Sequence, residues 1–141
     1  MVHIVWRNRV DNPWLSMAKD VVLRFLPQPG ADAQTCGPGP FSMSDETTVR
    51  AMMTAAGYEE IEFRRVDASV LVGANVGDAI AFQLAIGPAG EVFREAGDEA
   101  EDKREQIEAA LAEAINRQKI VAEGIVMDSS SWVISATNPK H

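Results

Sequence analysis

Between Ser44 and Val66 the sequence leaves the chain little choice of local structure. Ser44-Asp45-Glu46 puts a capping residue and two acids at a helix N-terminus, where side-chain oxygens satisfy free amides and negative charge suits the helix dipole. Val49, Met52, Met53 and Ala56 then form one apolar stripe at helical spacing. Gly57 supplies a left-handed stop, and Tyr58 to Val66 alternates in the manner of a strand. Helix, glycine turn and strand make an α/β unit.

The flanking segments extend this pattern. Val2 to Trp6 is a short β-branched and apolar run that predicts a strand. Its near-continuous hydrophobicity predicts burial on both faces, as in the centre of a parallel sheet. After the polar residues Arg7 to Asp11, Asn12 is expected to cap a helix with Pro13 at its first position. Trp14, Ala18, Val21, Val22 and Phe25 recur at helical spacing, and Pro27 and Pro29 end the helix. The Pro- and Gly-rich stretch from Gln28 to about Met43 is long for a connection in a small domain, which points to a functional loop or a lid. Ala68 to Val72 extends or restarts the second strand. A helix is predicted from Asn75 to Ile86, a short one from Pro88 to Glu95, and a long one capped by Asp98. Ile107, Leu111 and Ile115 share one face of the long helix, and Arg117 and Lys119 lie near its C-terminal end, where the dipole favours them. Ser131 to Ala136 reads as a closing strand before Pro139.

The 141 residues suit one domain with one core. Thirteen basic residues against twenty-one acids, a net charge of −8, supply no basic face for phosphates, so nucleic acid and anionic membrane surfaces are poor partners. No apolar stretch reaches the roughly 20 residues that a membrane-spanning helix needs. A single cysteine, Cys36, excludes an intramolecular disulfide and suits the reducing cytoplasm. The acids between Glu91 and Glu108 read as a solvated helix face.

No complete catalytic, metal or cofactor constellation emerges. Gly73-Ala74-Asn75-Val76-Gly77-Asp78 lies between a strand and a helix, where a phosphate loop would. Its G-x-x-x-G spacing lacks the third glycine, and it reads as a turn in which Asn75 caps the helix. His3 and His141 stand alone near the two termini, without the ligand cluster a metal requires. Cys36 has no base near it in sequence. Met43, Met52 and Met53 read as core. The one concentration of recognition chemistry is Trp6, Arg7, Asn12 and Trp14, just past the end of the first strand. Ligands in open α/β sheets bind outside such carboxyl ends, and a pocket completed by Phe41 and Phe82 is expected there.

Three stretches together resemble a known family. They are Val2 to Arg7 followed by Asp11-Asn12-Pro13-Trp14, Gly39 to Asp45 leading into Val49 to Tyr58, and Ser131 to Ala136. In this order they resemble the C-terminal half of class I S-adenosylmethionine (SAM)-dependent methyltransferases of the ubiquinone/menaquinone-biosynthesis type. The resemblance implies a partial Rossmann-like half-sheet of three main strands. The first strand, Ile61 to Val66 and Trp132 to Ala136 would correspond to the family's fifth, sixth and seventh strands, the last being antiparallel and central. It further implies one domain over residues 1–141, with sheet and flanking helices in 1–67 and 128–138 and a helical cap insertion over 75–120. The family's cofactor site lies in its first half, and no position here matches that motif. No residue is therefore assigned to SAM, and the chain is expected neither to bind it nor to catalyse alone unless a complementary N-terminal half is present. With the chain in a strand by Val2, that strand is expected to be exposed and to need a partner, either a second copy or the complementary half.

Overall fold

The computed structural model describes residues 1–30 and 39–139. The helix–glycine–strand unit folds as its sequence directs. Helix α2 (Glu46–Ala55) begins at Asp45, whose carboxylate accepts the Thr48 amide at 2.8 Å. Gly57 takes φ +86°, and strand β2 (Glu59–Gly73) follows as one continuous strand rather than two. The other strands are β1 (Val2–Trp6), β3 (Lys119–Val121) and β4 (Gly124–Thr137). Helix α1 (Pro13–Val22) follows a 3-10 turn at Arg9–Asp11. Helices α3 (Val76–Ala85), α4 (Gly87–Ala96), α5 (Asp98–Asp102) and α6 (Arg104–Ile115) connect β2 to β3. Asn75 caps α3 as expected, accepting the Asp78 amide at 2.9 Å.

The last strand lies in the middle of the sheet. The order is β1-β4-β2, with β4 antiparallel to both neighbours, so β1 and β2 run the same way. In register, Val2 faces Ser135, Ile4 faces Val133, and Phe63 faces Ile134. Strand β3 forms a tight hairpin with the start of β4, across β4 from β2. All observed pairings are antiparallel, and the fold is mixed α/β.

Helices cover opposite faces of the sheet at its two ends. On one face Val49 and Met53 of α2 pack on Ile134 and Ala136, with Val5, Phe63 and Trp132 around them. On the other, α1, α3, α4 and α6 enclose the larger core with Val72, Ile125 and Met127. Ile107, Leu111 and Ile115 of α6 are fully buried there, as their spacing predicts. Burying side chains of this size contributes roughly 1.5–3 kcal/mol each.

Several expectations need correction. Strand β1 is not a central strand of a parallel sheet; it is an edge strand, with Val2 and Ile4 66% and 73% exposed. Its apolar run reports β-propensity, and burial depends on what lies above and beside it. Asn12 does not cap α1 with its side chain. The long helix expected from Asp98 breaks at Lys103, which leaves helical geometry while its ammonium group binds the Phe25 carbonyl (2.8 Å) and Glu99 (2.7 Å). Gly97, at φ +54°, stands at the start of α5 where Asp98 was expected to cap. Arg117 pairs with Glu113, but Lys119 opens β3 instead of ending a helix. The closing strand begins seven residues before Ser131, at Gly124. Cys36 and His141 lie outside the described residues, as does much of the loop before α2.

Two glycines tighten the junction between the layers. A Cβ on Gly73 would meet the backbone of Ala79 at the start of α3. Gly124, at φ +140°, would place one against the Gly73 carbonyl and 2.7 Å from the Ala74 Cα. Three segments cross there with backbone nearly touching backbone.

Candidate functional site

The polar end of β1 organises the neighbouring chemistry. Successive strand residues point to opposite faces, so Trp6 and Arg7 part company. Trp6 turns to the face of the larger core, edge-on to Trp14 with ring centroids 5.1 Å apart. Trp14 in turn lies 6.4 Å from Phe82. Arg7 turns to the other face, where its guanidinium lies 4.6 Å from the centre of the Trp132 ring and donates to the Ser130 hydroxyl at 3.1 Å. Asp11 is 3.5 Å from it.

Asn12 stays in the plane of the sheet. Once β1 ends, its fully buried amide takes over the edge of β4: Oδ1 accepts the Ser130 amide and Nδ2 donates to the Ser130 carbonyl, both at 2.9 Å. The same Nδ2 reaches the Asn8 carbonyl at 3.1 Å. The side chain thus substitutes for one residue of a neighbouring strand.

Of the six expected pocket residues, Trp6, Trp14 and Phe82 come together on one face and Arg7 lies on the other. Asn12 lies between the two sets. Phe41 sits half-buried in the turn Pro40–Met43; its neighbours Pro40, Ser42 and Met43, rather than Phe41 itself, line a groove of about 320 Å³ with Ile4, Val5 and Trp6. The six do not line a common cavity.

A polar cleft of about 570 Å³ opens on the Arg7 face, between β2, β4 and the start of α1. Val10, Pro13 and Asp11 form one wall; Arg65, Asp67, Ser69, Asp128 and Ser130 form the floor. Asp67 is the hub. It accepts Arg65 Nε through both oxygens, at 2.9 and 2.8 Å, and the Ser130 hydroxyl at 2.5 Å. The Arg65 hydrogen bonds, then that of Ser130, hold its carboxyl below the usual range, and Asp67 draws the Arg65 guanidinium higher. A relay therefore runs Arg7–Ser130–Asp67–Arg65 across three strand segments.

Sequence reasoning passed over Arg65, Asp67, Asp128 and Ser130. Asp67 stood between two apparent strands, and Asp128 to Ser130 lay just ahead of the closing strand expected from Ser131. Their one common signal is register: Asp67 faces Ser130, and Ser69 faces Asp128. The cleft offers three carboxylates, a guanidinium and serine hydroxyls, which suits a polar ligand carrying hydroxyl or amino groups. Among the described residues it has no nucleophile–histidine pair, and His3 contacts the Met1 sulfur instead. Among the described residues no cluster of metal-binding side chains occurs, and no helix is long and apolar enough to cross a membrane.

The Asp67 relay has a pH consequence. An Asp whose folded pKa is depressed contributes stability above its unfolded pKa of about 4, lost as pH falls through the lower folded value. Urea midpoints of the wild type should fall from pH 5 to about pH 3. Asp67→Asn should flatten part of that fall, and an unchanged slope would remove Asp67 as a contributor.

No protein-family model and no curated protein matches this chain.

Proposed function

We propose that this chain is the substrate-recognition part of a class I SAM-dependent methyltransferase-type protein, which does not hold SAM by itself. The observation that carries the reading is the position of the last strand, central and antiparallel between two strands that run the same way. This is the arrangement that the resemblance implies for the family's fifth, seventh and sixth strands, within a partial Rossmann-like half-sheet. The polar cleft and the aromatic set both adjoin the carboxyl end of β1, where an open α/β sheet places its ligand. The chain's own residues would bind and orient a polar acceptor, with Arg65 and Asp67 as the anchoring pair. The cofactor supplies the methyl group and would be held by a complementary half that adds a strand beside the free edge of β1.

Calorimetric titration with SAM tests this reading: no heat of binding is expected from the isolated chain, and a micromolar dissociation constant would overturn it. A Gly-rich cofactor-binding segment encoded alongside the chain is also expected.

A second reading, a homodimeric small-ligand module in the cytoplasm, is favoured by the bare apolar face of β1. Affinity capture with the tagged chain separates the two: recovery of a Gly-rich cofactor-binding half supports the first, and saturable binding of a small polar ligand by the chain alone, with no such half present, supports the second.

A further inference from the structure

On the face of the sheet that carries the larger core, the helices stop short. Beyond the Trp6–Ser131–Val66 row, no described helix covers two further rows of side chains, Ile4, Val133 and Arg64, then Val2, Ser135 and Glu62, and the Pro40–Met43 turn meets them only at Ile4. Val2 and Ile4 are mostly exposed and Val133 half-buried. Arg64 and Glu62 are exposed, and neither is in an ion pair among the described residues. An apolar patch with one cation and one anion beside it is unusual on a chain of net charge −8.

We infer that this face is an interface between two copies of the chain, stacked sheet on sheet. The two rows are complementary to each other under a two-fold axis, which is the symmetry of an isologous dimer. Let the axis lie in the plane of the interface, across the strands and between the rows. Ile4 then faces Val2 of the second copy, Val133 faces Ser135, and Arg64 faces Glu62. Each apolar residue meets an apolar or small one, and each charge meets its opposite. The other in-plane axis, along the strands, would drive the two helical layers into one another, because both would rise at the same end. The cross-strand axis sets them at opposite ends, each beside the other's bare shelf. Packed sheets stand about 10 Å apart, close enough for these side chains to interdigitate.

Charge also selects the occupant. No acid lies on β1, and the acidic helices α5 and α6 belong to the far end of the fold. Two molecules of like charge can therefore meet at this face without opposing their acids. Standard spacings give a patch of roughly 14 by 14 Å. That is smaller than a standard interface, so the dimer is a weak and transient one, assembling toward the upper end of the micromolar range. This inference rests on the face alone and stands or falls apart from the methyltransferase reading. Stacking leaves the edge of β1 free for an added strand.

Sedimentation velocity of the full chain tests it. Between about 1 and about 200 µM the mass should rise from 15.3 kDa toward twice that value. Ile4→Lys, at an exposed position, should leave the far-ultraviolet spectrum and melting temperature unchanged and abolish the dimer. Glu62→Arg and Arg64→Glu should each weaken it at least about tenfold, and the two together should restore it. A monomer throughout the range would overturn the inference and leave the face to a different partner. A dimer indifferent to both charge reversals would also overturn it, placing self-association at the edge of β1 or elsewhere.

Discussion

Gly124→Ala is expected to lower the unfolding free energy by about 3 kcal/mol or more, combining backbone strain and overpacking. The added methyl would press on the Gly73 carbonyl and the Ala74 backbone, atoms fixed by β2 and by the start of α3. Neither can withdraw as a flexible side chain would, and φ +140° is itself unfavourable for alanine. Gly57→Ala is the comparison that isolates the second effect. At φ +86° with open space around the Cβ position, it should lose only about 1–2 kcal/mol. Urea denaturation of both variants provides the test; equal losses would mean that the close approach at Gly124 carries no energy.

Removing the Asn12 amide should cost nearly as much. Asn12→Ala leaves the buried Ser130 amide without an acceptor and opens a small void, for a loss of about 2–4 kcal/mol. Asn12→Asp retains an acceptor for that amide but turns a charged oxygen toward the Ser130 and Asn8 carbonyls. At pH 7 it should be the less stable of the two variants. The carboxyl pKa would be raised in the folded state, so the excess loss should shrink as the pH falls through that raised value. Chemical denaturation at pH 7 and pH 4.5 separates the outcomes. If the Asp variant matches wild type at pH 7, the side chain does not bridge the strand in the way described.

What the sequence disclosed was mostly local. The α2–Gly57–β2 unit was legible because cap, stripe, stop and alternation all lie within 23 consecutive residues. The apolar stripe of α6 was equally plain. The break at Lys103 was not, since it contains neither proline nor glycine and its partner, the Phe25 carbonyl, is 78 residues away. The first half of β4 was missing from the expected strand because Asp128, Ser129 and Ser130 are poor strand formers in isolation. They are held in place by neighbours on both sides. The aromatic residues around Trp6 were visible as a group, but the alternation that sends Arg7 to the opposite face was not weighed. The cleft built on Asp67 depends on cross-strand register, which no single segment encodes.

The central position of β4 bears on how the protein is made. Strands β1 and β2 leave the ribosome first, separated by more than 50 residues, and neither pairs with the other. The strand that joins them follows all the other strands of the sheet. Until it arrives, β2 has only helices to pack against, and β1 is an apolar ribbon with both edges unpaired. Sheet formation is thus a late, long-range event, of the kind that slows folding and leaves nascent chains open to wrong pairings. For this chain the period of greatest exposure lasts until the fourteen-residue β4 has emerged and closes the sheet.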